Sequence, residues 1–453
     1  MKVYALNHKD NLDAQWIYAQ TAYWAKHFKQ SNLAYTQAMS QFPSNYYLKL
    51  DYALKLIENG DIKKALPLLD IYKQYDSTSS DLILAYAKIQ FWQGYYKQAL
   101  QTLKLKDISV SSTTLKHEIL SAKTTYLKLN TSYFSDDQPL QITTPNVEIG
   151  TFIHPLFSPY LGLSLPWFRQ ASISNYAPII NFGNKLNLTK AGITSTINAG
   201  IIRLPDNSTT WTASFDLNKT SYKYLALNLI ASRQPYLITL SSLKNPSLPA
   251  HFSFNASWNN FNSWNGKVSS SIDKFSSDHN YVYKLSAWLF APPIKISSFQ
   301  CYIGYAYGYS SSKENRYSSQ YSIAEILLYK MEDDIKGLYN PYFTPTEQSV
   351  HSALVSFNFK PHKKVSMGAN ANLGFLGTTK NPSLLLAKNS GADTTIELEY
   401  TSIKFYPHEI SAFVLIQLSP KLSLKADYAL LKNNFYTSHK AGLTLKLNFW
   451  NEK

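Results

Sequence analysis

The sequence predicts an α + β multidomain protein, with an N-terminal α-solenoid over residues 1–139 and an antiparallel transmembrane β-barrel of about sixteen strands over residues 140–453. Three observations carry that class. Residues before 140 recur at an interval of 34, residues after it alternate singly between apolar and polar, and aromatic residues make up 15% of the chain. Membrane barrels need such aromatics for the girdles at their two interfaces.

The first element is the repeat. Tyr18-Ala19, Tyr52-Ala53 and Tyr86-Ala87 stand 34 apart, as do Lys26, Gly60 and Gly94, then Phe28, Ile62 and Tyr96, then Ser31, Ala65 and Ala99. One interval therefore governs both halves of a two-helix unit. Ala19, Ala53 and Ala87 on the first helices face small residues on the second, Ala65 and Ala99 among them, so the helices pack closely; Gly60 and Gly94 belong to the same pattern. These positions resemble the tetratricopeptide repeat, a two-helix unit of 34 residues. In that frame the units run 12–45, 46–79 and 80–113, with Ala38 and Pro43 at the closing positions of the first. Lys26 stands where glycine is usual, and Pro67 falls in the first turn or so of a second helix. An ordinary bundle of helical hairpins is the alternative, but independent hairpins do not keep such phase. Repeat units cannot bury their apolar faces alone. Residues 1–11 read as the tail of a preceding second helix, so the array is expected to continue upstream. Trp16, Trp24 and Trp92 are expected to fill buried stripes, and a closing helix is expected from about Ser111 to Leu129.

The second element is the alternating region. Tyr281, Tyr283, Leu285, Ala287 and Leu289 interleave with Val282, Lys284 and Ser286, and successive side chains of a strand point to opposite faces. Ile193 to Ile201, Trp211 to Leu217, Phe252 to Trp258, Cys301 to Tyr309, Val365 to Phe375 and Ile410 to Leu418 each repeat the pattern. Opposite these faces the residues are wet: Ser253, Asn255, Ser257 and Asn259 oppose Phe252, and Asn370 and Asn372 oppose Met367. Soluble sandwich domains run near a hundred residues and would show breaks; this alternation has none. A polar interior suits a wide barrel whose outside faces lipid. Phe359–Val365 and Leu418–Leu422 read as tight turns, and Gly377–Asp393 as a long loop. The last strand, Leu443, Leu445, Leu447 and Phe449 alternating with Thr444, Lys446 and Asn448, resembles the C-terminal signal read by the outer-membrane barrel-assembly machinery. Here Asn451-Glu452-Lys453 follows the terminal aromatic Trp450.

Parity proposes the pore lining. Glu397 and Glu399 oppose Ile396, Leu398 and Tyr400; Lys425 and Asp427 oppose Leu424, Ala426 and Tyr428; Lys284 and Lys446 point inward by their neighbours. A Lys or Arg facing lipid at mid-depth costs roughly 2 to 4 kcal/mol, which favours the inward assignment. These residues either solvate a wide pore or touch a ligand.

Composition narrows the function. Residues 1–139 carry 16 Lys and 12 acidic residues, a charge of +4, leaving 28 basic and 17 acidic residues, +11, beyond them. A basic protein raises the question of nucleic acid, but four Arg accompany 40 Lys with no Arg-aromatic cluster, so no nucleic-acid partner is expected. Lysines in such barrels sit beside lipopolysaccharide phosphates or in the lumen, where they attract anions. The one cysteine, Cys301, forbids an intrachain disulfide. A mean hydropathy of −0.25 and no apolar run near twenty residues argue against membrane-spanning helices. The start, MKVYALNHKD, lacks an apolar stretch, so for a barrel the natural chain is expected to begin earlier. No H-E-x-x-H, G-x-S-x-G, phosphate loop or paired Cys or His is present, and His351, His362 and His408 are scattered. Neither enzyme activity, metal nor cofactor is expected.

Two segments carry a family resemblance: Tyr339-Asn-Pro-Tyr-Phe-Thr-Pro-Thr-Glu-Gln348, containing Pro341, Tyr342, Phe343 and Pro345, and Ser232-Arg-Gln-Pro235 leading through Leu240-Ser-Ser-Leu243. They resemble segments in the C-terminal barrels of the outer-membrane exporters that serve cellulose synthases; the first also reads as a simple Pro-Tyr turn. The architecture is similar over nearly the whole chain, and that of the poly-N-acetylglucosamine exporter is similar as well. The resemblance implies a bacterial outer-membrane pore passing a glycan polymer, an exopolysaccharide, with the repeats binding periplasmic protein partners and the barrel meeting outer-membrane lipid and lipopolysaccharide. A surface-lipoprotein translocator and a surface receptor or adhesin of the phage-adsorption type share the architecture.

Overall fold

The computed structural model describes residues 2–8, 10–25, 27–105, 110–137, 140–170, 173–188, 191–221, 225–238, 242, 246–261, 263–331, 335–388, 394–433 and 436–450. The chain divides into two compact units, residues 1–123 and 124–453.

The first unit is helical: α1 (Lys2–Asn7), α2 (Leu12–Trp24), α3 (Phe28–Gln41), α4 (Tyr46–Glu58), α5 (Ile62–Tyr75), α6 (Ser80–Trp92), α7 (Tyr96–Leu103) and α8 (Val110–Ala122). α2, α4 and α6 start 34 residues apart, and so do α3, α5 and α7. The local chemistry repeats with them. Asn11 Oδ1 accepts from the Ala14 amide at 3.0 Å and Asn45 Oδ1 from the Leu48 amide at 2.8 Å, each capping a first helix. Gly60 and Gly94 take φ of +77° and +78°, the left-handed conformation that closes α4 and α6. The amide of Asp61 then reaches Leu56 O, and that of Tyr95 reaches Gln90 O, both at 2.8 Å. Lys26 lies outside the described residues. Ala19, Ala53, Ala65, Ala87 and Ala99 are fully buried, and Ser31 Oγ donates to Ala19 O at 2.8 Å. Asp51 Oδ2 accepts from Trp16 Nε1 (2.6 Å), Gln20 Nε2 (2.9 Å) and the Tyr35 hydroxyl (2.6 Å), tying three helices together. α5 runs on through Pro67. Trp24 and Trp92 do not fill the core: they are exposed, because each is the last residue of its helix, where the chain leaves for the turn.

The boundary lies at 123/124 rather than 139/140. α8 stops at Ala122 and a strand begins at Thr125, so residues read as the end of a closing helix already alternate as a strand, Tyr126, Lys128 and Asn130 against Leu127 and Leu129.

The second unit is a closed antiparallel barrel of sixteen strands. They are β1 (Thr125–Asp136), β2 (Gln141–Gly150), β3 (Ser158–Ser164), β4 (Ile179–Leu188), β5 (Ile193–Arg203), β6 (Thr209–Ser221), β7 (Leu225–Arg233) and β8 (Ala250–Phe261). β9 (Trp264–Phe275), β10 (Asn280–Phe290), β11 (Phe299–Ser312), β12 (Gln348–His362) and β13 (Val365–Lys388) follow. β14 comes in two consecutive segments (Thr394–Phe405 and His408–Ser419), then β15 (Leu422–Lys432) and β16 (Thr437–Phe449). Each pairs with the next, and β16 closes on β1 from Thr125↔Phe449 to Asp136↔Ser438. The strands thus begin and end at one rim, here the terminal rim; the opposite one is the distal rim. Closure leaves no strand edge for lipid to meet.

Parity holds around the wall. Ile197, Ile201, Trp211, Phe252, Phe254, Leu289, Ile303, Phe375 and Leu443 are exposed on the outside, while the inside is mostly Ser, Asn, Thr and Gly with scattered charges. Among the described residues no helix is long and apolar enough to cross a membrane, which says nothing of a barrel. The tight turns are present, two residues between β12 and β13 and two between β14 and β15. Gly377–Asp393 is not a loop as far as Lys388: β13 continues, and Gly377–Lys388 pairs with Thr394–Phe405. A bulge explains the misreading. His351 pairs with Leu376 but Ser352 with Gly374, so one extra residue on β13 reverses its alternation there.

Candidate functional site

The site is the barrel lumen. Among the described residues the registers place seven lysines on its wall, Lys128, Lys185, Lys267, Lys284, Lys425, Lys440 and Lys446, with six carboxylates, Asp136, Glu148, Asp216, Asp273, Glu409 and Asp427. The wall is therefore close to neutral, and most of the +11 lies elsewhere. Its charges are sorted along the axis. Lys128, Lys185, Lys267, Lys425 and Lys446 each stand fourth from the terminal-rim end of their strands, which end at Thr125, Leu188, Trp264, Leu422 and Phe449. Glu148, third from the end of β2, shares that level. Toward the distal rim stand Lys284 and Lys440, with Asp136, Asp273 and Glu409.

The terminal ring is built, not merely populated. Lys446 is registered with Lys128, and Lys128 with Glu148. The Tyr126 hydroxyl donates to Glu148 Oε1 at 2.5 Å, and Lys185 Nζ reaches that hydroxyl at 2.8 Å and Glu148 at 3.4 Å. Lys185 lies over the rings of Tyr126 (5.0 Å) and Tyr160 (4.9 Å), and Lys446 over Tyr126 (5.3 Å). Glycine makes room for this: a Cβ at Gly150 would fall 2.6 Å from the Tyr126 hydroxyl.

Of the residues proposed by parity, Lys425 pairs with Asp427 at 3.0 Å. Lys284 pairs with Asp273 at 3.0 Å, and Asp273 holds His251 at 2.6 Å. A recess of about 340 Å³ adjoins Lys284, lined by serines such as Ser269 and Ser286 and by the apolar surfaces of Leu285, Tyr309 and Val350. Glu397 and Glu399 are corrected. β12 last pairs with β13 at Ser349↔Thr378, whereas Glu399 pairs with Ser383 and Glu397 with Leu385, so both stand beyond the closed wall on the projecting β13–β14 hairpin. Lys128, Lys185, Lys267, Tyr126 and Glu148 escaped the sequence reading. The signal was present: each occupies a polar parity position, Lys128 in the stretch assigned to a helix.

The distal mouth is narrowed by loops. The loop between β11 and β12 carries a two-stranded ribbon (Tyr317–Ser319 with Gly337–Tyr339) and α9 (Ile323–Leu328), begun by a Ser322–Glu325 capping box. α9 buries Ile326 with Leu384, against Leu386, Ile396 and Leu398 of the hairpin. The 339–348 segment turns back to the wall. Tyr342 is fully buried against Phe275 and Val282, which the register faces inward, so it sits on the lumen side. Its hydroxyl donates to Asp278 Oδ2 (2.6 Å), which also accepts from Arg316 Nε (2.8 Å). The Phe343 amide donates to the Tyr236 hydroxyl (3.3 Å), and Pro345 O accepts from the Ser312 amide (2.8 Å). Tyr339 packs edge-on to Phe343 (4.7 Å), and Asn340-Pro341 is cis. Burial and Asp278 push the Tyr342 hydroxyl up to about 12. In the other motif, Arg233 stacks over Trp211 (4.1 Å), while Leu240 and Leu243 lie outside the described residues. A second inward cluster joins Phe168, Ile202, Leu204 and Leu237.

No protein-family model matches the chain, and no curated protein matches it. Among solved structures, one described as a bacterial polysaccharide outer membrane secretin is similar at TM-score 0.52 and 10% identity, over 72% of this chain and 99% of that one. The outer membrane protein OpdK of Pseudomonas aeruginosa matches at TM-score 0.36 and 10% identity, over 72% and 99%. OmpF of Salmonella typhi, in complex with daunomycin, matches at 0.35 and 8%, over 72% and 97%. With its apolar outside, polar inside and closed wall, the second unit has the fold of a bacterial outer-membrane channel barrel.

Proposed function

We propose that this protein is an outer-membrane secretion pore that passes a polysaccharide to the cell surface, with its helical unit, read as tetratricopeptide-type repeats, serving as a periplasmic scaffold. The observation that carries the reading is the lumen: a sixteen-strand wall, polar over most of its surface and charge-balanced, with ionic groups held by partners within the wall. Barrels of this size leave an aqueous channel. A near-neutral, hydroxyl- and amide-rich wall offers a sliding polymer many weak contacts and no deep trap, as conduction requires. The similarity to the polysaccharide secretin supports the same reading at the level of fold.

The helical unit suits a scaffold, since stacked helix pairs present an extended surface. Trp24, Tyr47, Tyr75 and Trp92 are exposed on it and available to a partner protein or a glycan.

Purified protein in planar bilayers tests the pore. Open channels that linear oligosaccharides block transiently are expected; a conducting channel that no oligosaccharide blocks would remove the glycan reading. The projecting β13–β14 hairpin and α9 favour a surface receptor as the second reading. In that case deleting the hairpin abolishes ligand binding and leaves conductance unchanged.

A further inference from the structure

Three aromatic side chains form one group on the lumen face, apart from the lysine cradle. The register sets Trp288 beside Lys267 and Phe290 beside Asn265, so Trp288 and Phe290 face inward, and Tyr302 shares that face through its pairing with Ser356. Most aromatics of the wall serve the lipid interface on the outside, and the inward rings of Tyr126 and Tyr160 carry the lysine cradle. The three rings are half-buried, and the apolar surface each still presents to a water-filled channel costs free energy unless something covers it.

The three rings form one group. Trp288 and Phe290 lie edge to face with centroids 5.3 Å apart, and Phe290 and Tyr302 follow at 6.0 Å. Gly304 gives Phe290 its place, since a Cβ there would meet the ring at 2.7 Å. The Tyr302 hydroxyl donates to Gln300 Oε1 at 3.0 Å. Asn265, Lys267, Gln300 and Ser356 thus border the rings with donors and acceptors. Trp288 stands third from the end of β10 and Tyr302 fourth from the start of β11, the level of the terminal lysine ring. By strand order they lie seven or eight strands from Glu148 on β2, across the lumen from the Lys185 cradle.

The geometry points to a saccharide-stacking platform: Trp288, Phe290 and Tyr302 receive the apolar face of a pyranose ring of the passing chain, and Asn265, Lys267 and Gln300 take its hydroxyls. A pyranose has one C–H face and an equatorial rim of hydroxyls, which matches rings bordered by amides and an ammonium. The platform is where a chain entering at the terminal rim is first held. This inference rests on the glycan reading above and adds a location to it.

Single-channel recording with cellohexaose, and separately with a hexameric polyuronate, tests it. The wild-type channel shows brief closures with at least one probe. Trp288→Ala and Tyr302→Ala shorten the closures about tenfold without changing the open conductance, and Trp288→Phe restores most of the dwell. Glu397→Gln, on the projecting β13–β14 hairpin beyond the closed wall, leaves the closures unaltered and serves as the control. Unchanged dwell in Trp288→Ala, with closures present in the wild type, overturns the platform and leaves the glycan reading standing. Absence of closures with both probes in the wild type overturns both.

Discussion

Tyr342 lies face to face with Phe275, ring centroids 3.3 Å apart and planes within 7°, and its hydroxyl donates to Asp278 at 2.6 Å. One ring thereby fastens a long distal loop to the inner wall. Replacing Tyr342 by Ala removes the stack and a charge-assisted hydrogen bond, about 3 to 5 kcal/mol of truncation in a buried setting. The loop should leave the mouth, and single-channel traces should become larger and noisier. Tyr342→Phe keeps the stack and should give an intermediate trace.

The same hydroxyl makes the latch sensitive to alkali. Burial and Asp278 raise its pKa from the ordinary value to about 12, so the hydroxyl form contributes stability that is fully present below pH 10 and is lost as pH rises through 12. Channel noise should therefore increase between pH 10 and 12 in the wild type. In Tyr342→Phe that rise should be absent.

The terminal ring should set ion preference. Lys128 and Lys446 are directly opposed like charges, an arrangement that costs a few tenths of a kcal/mol up to about 1 kcal/mol across a ladder. Replacing either by Gln should shift the anion-to-cation permeability ratio downward by roughly twofold, read as the reversal potential in a salt gradient. It should also leave the barrel's melting temperature unchanged or higher. Replacing Lys284, which is paired with Asp273 nearer the distal rim, should move selectivity less.

In the helical unit, Asp51→Ala strands the donors of Trp16, Gln20 and Tyr35. A cost of about 2 to 4 kcal/mol is expected, since a buried donor without a partner loses its full desolvation energy. Helical ellipticity at 222 nm should melt earlier while the strand signal is unchanged.

The sequence was most legible where one short-range rule acts alone. The 34-residue interval located the helix starts at 12, 46 and 80, because small residues and caps must recur wherever the same packing recurs. Strand parity set Lys284, Lys425, Asp427 and Lys446 on the polar faces of their strands, and the registers keep each on a face shared with polar neighbours, because successive side chains of a strand alternate. It failed where a rule was interrupted. The bulge beside Leu376 hid the β13–β14 hairpin, on which Glu397 and Glu399 stand beyond the closed wall, and residues 125–129 passed for the end of a helix. The seat of Tyr342 was not legible at all. It joins residues 275, 278, 316 and 342 through closure of the sheet, and no local pattern encodes such a meeting.

Passage of a linear glycan through this lumen is tested most directly in proteoliposomes loaded with a fluorescent linear glycan and, separately, with a compact branched dextran of equal mass. Release of the linear chain and retention of the dextran are predicted, with release slowed when Tyr342 is replaced and the loop cross-linked to the wall through cysteines placed at 342 and 275. Retention of the linear chain by liposomes that pass small ions freely would contradict the proposed export.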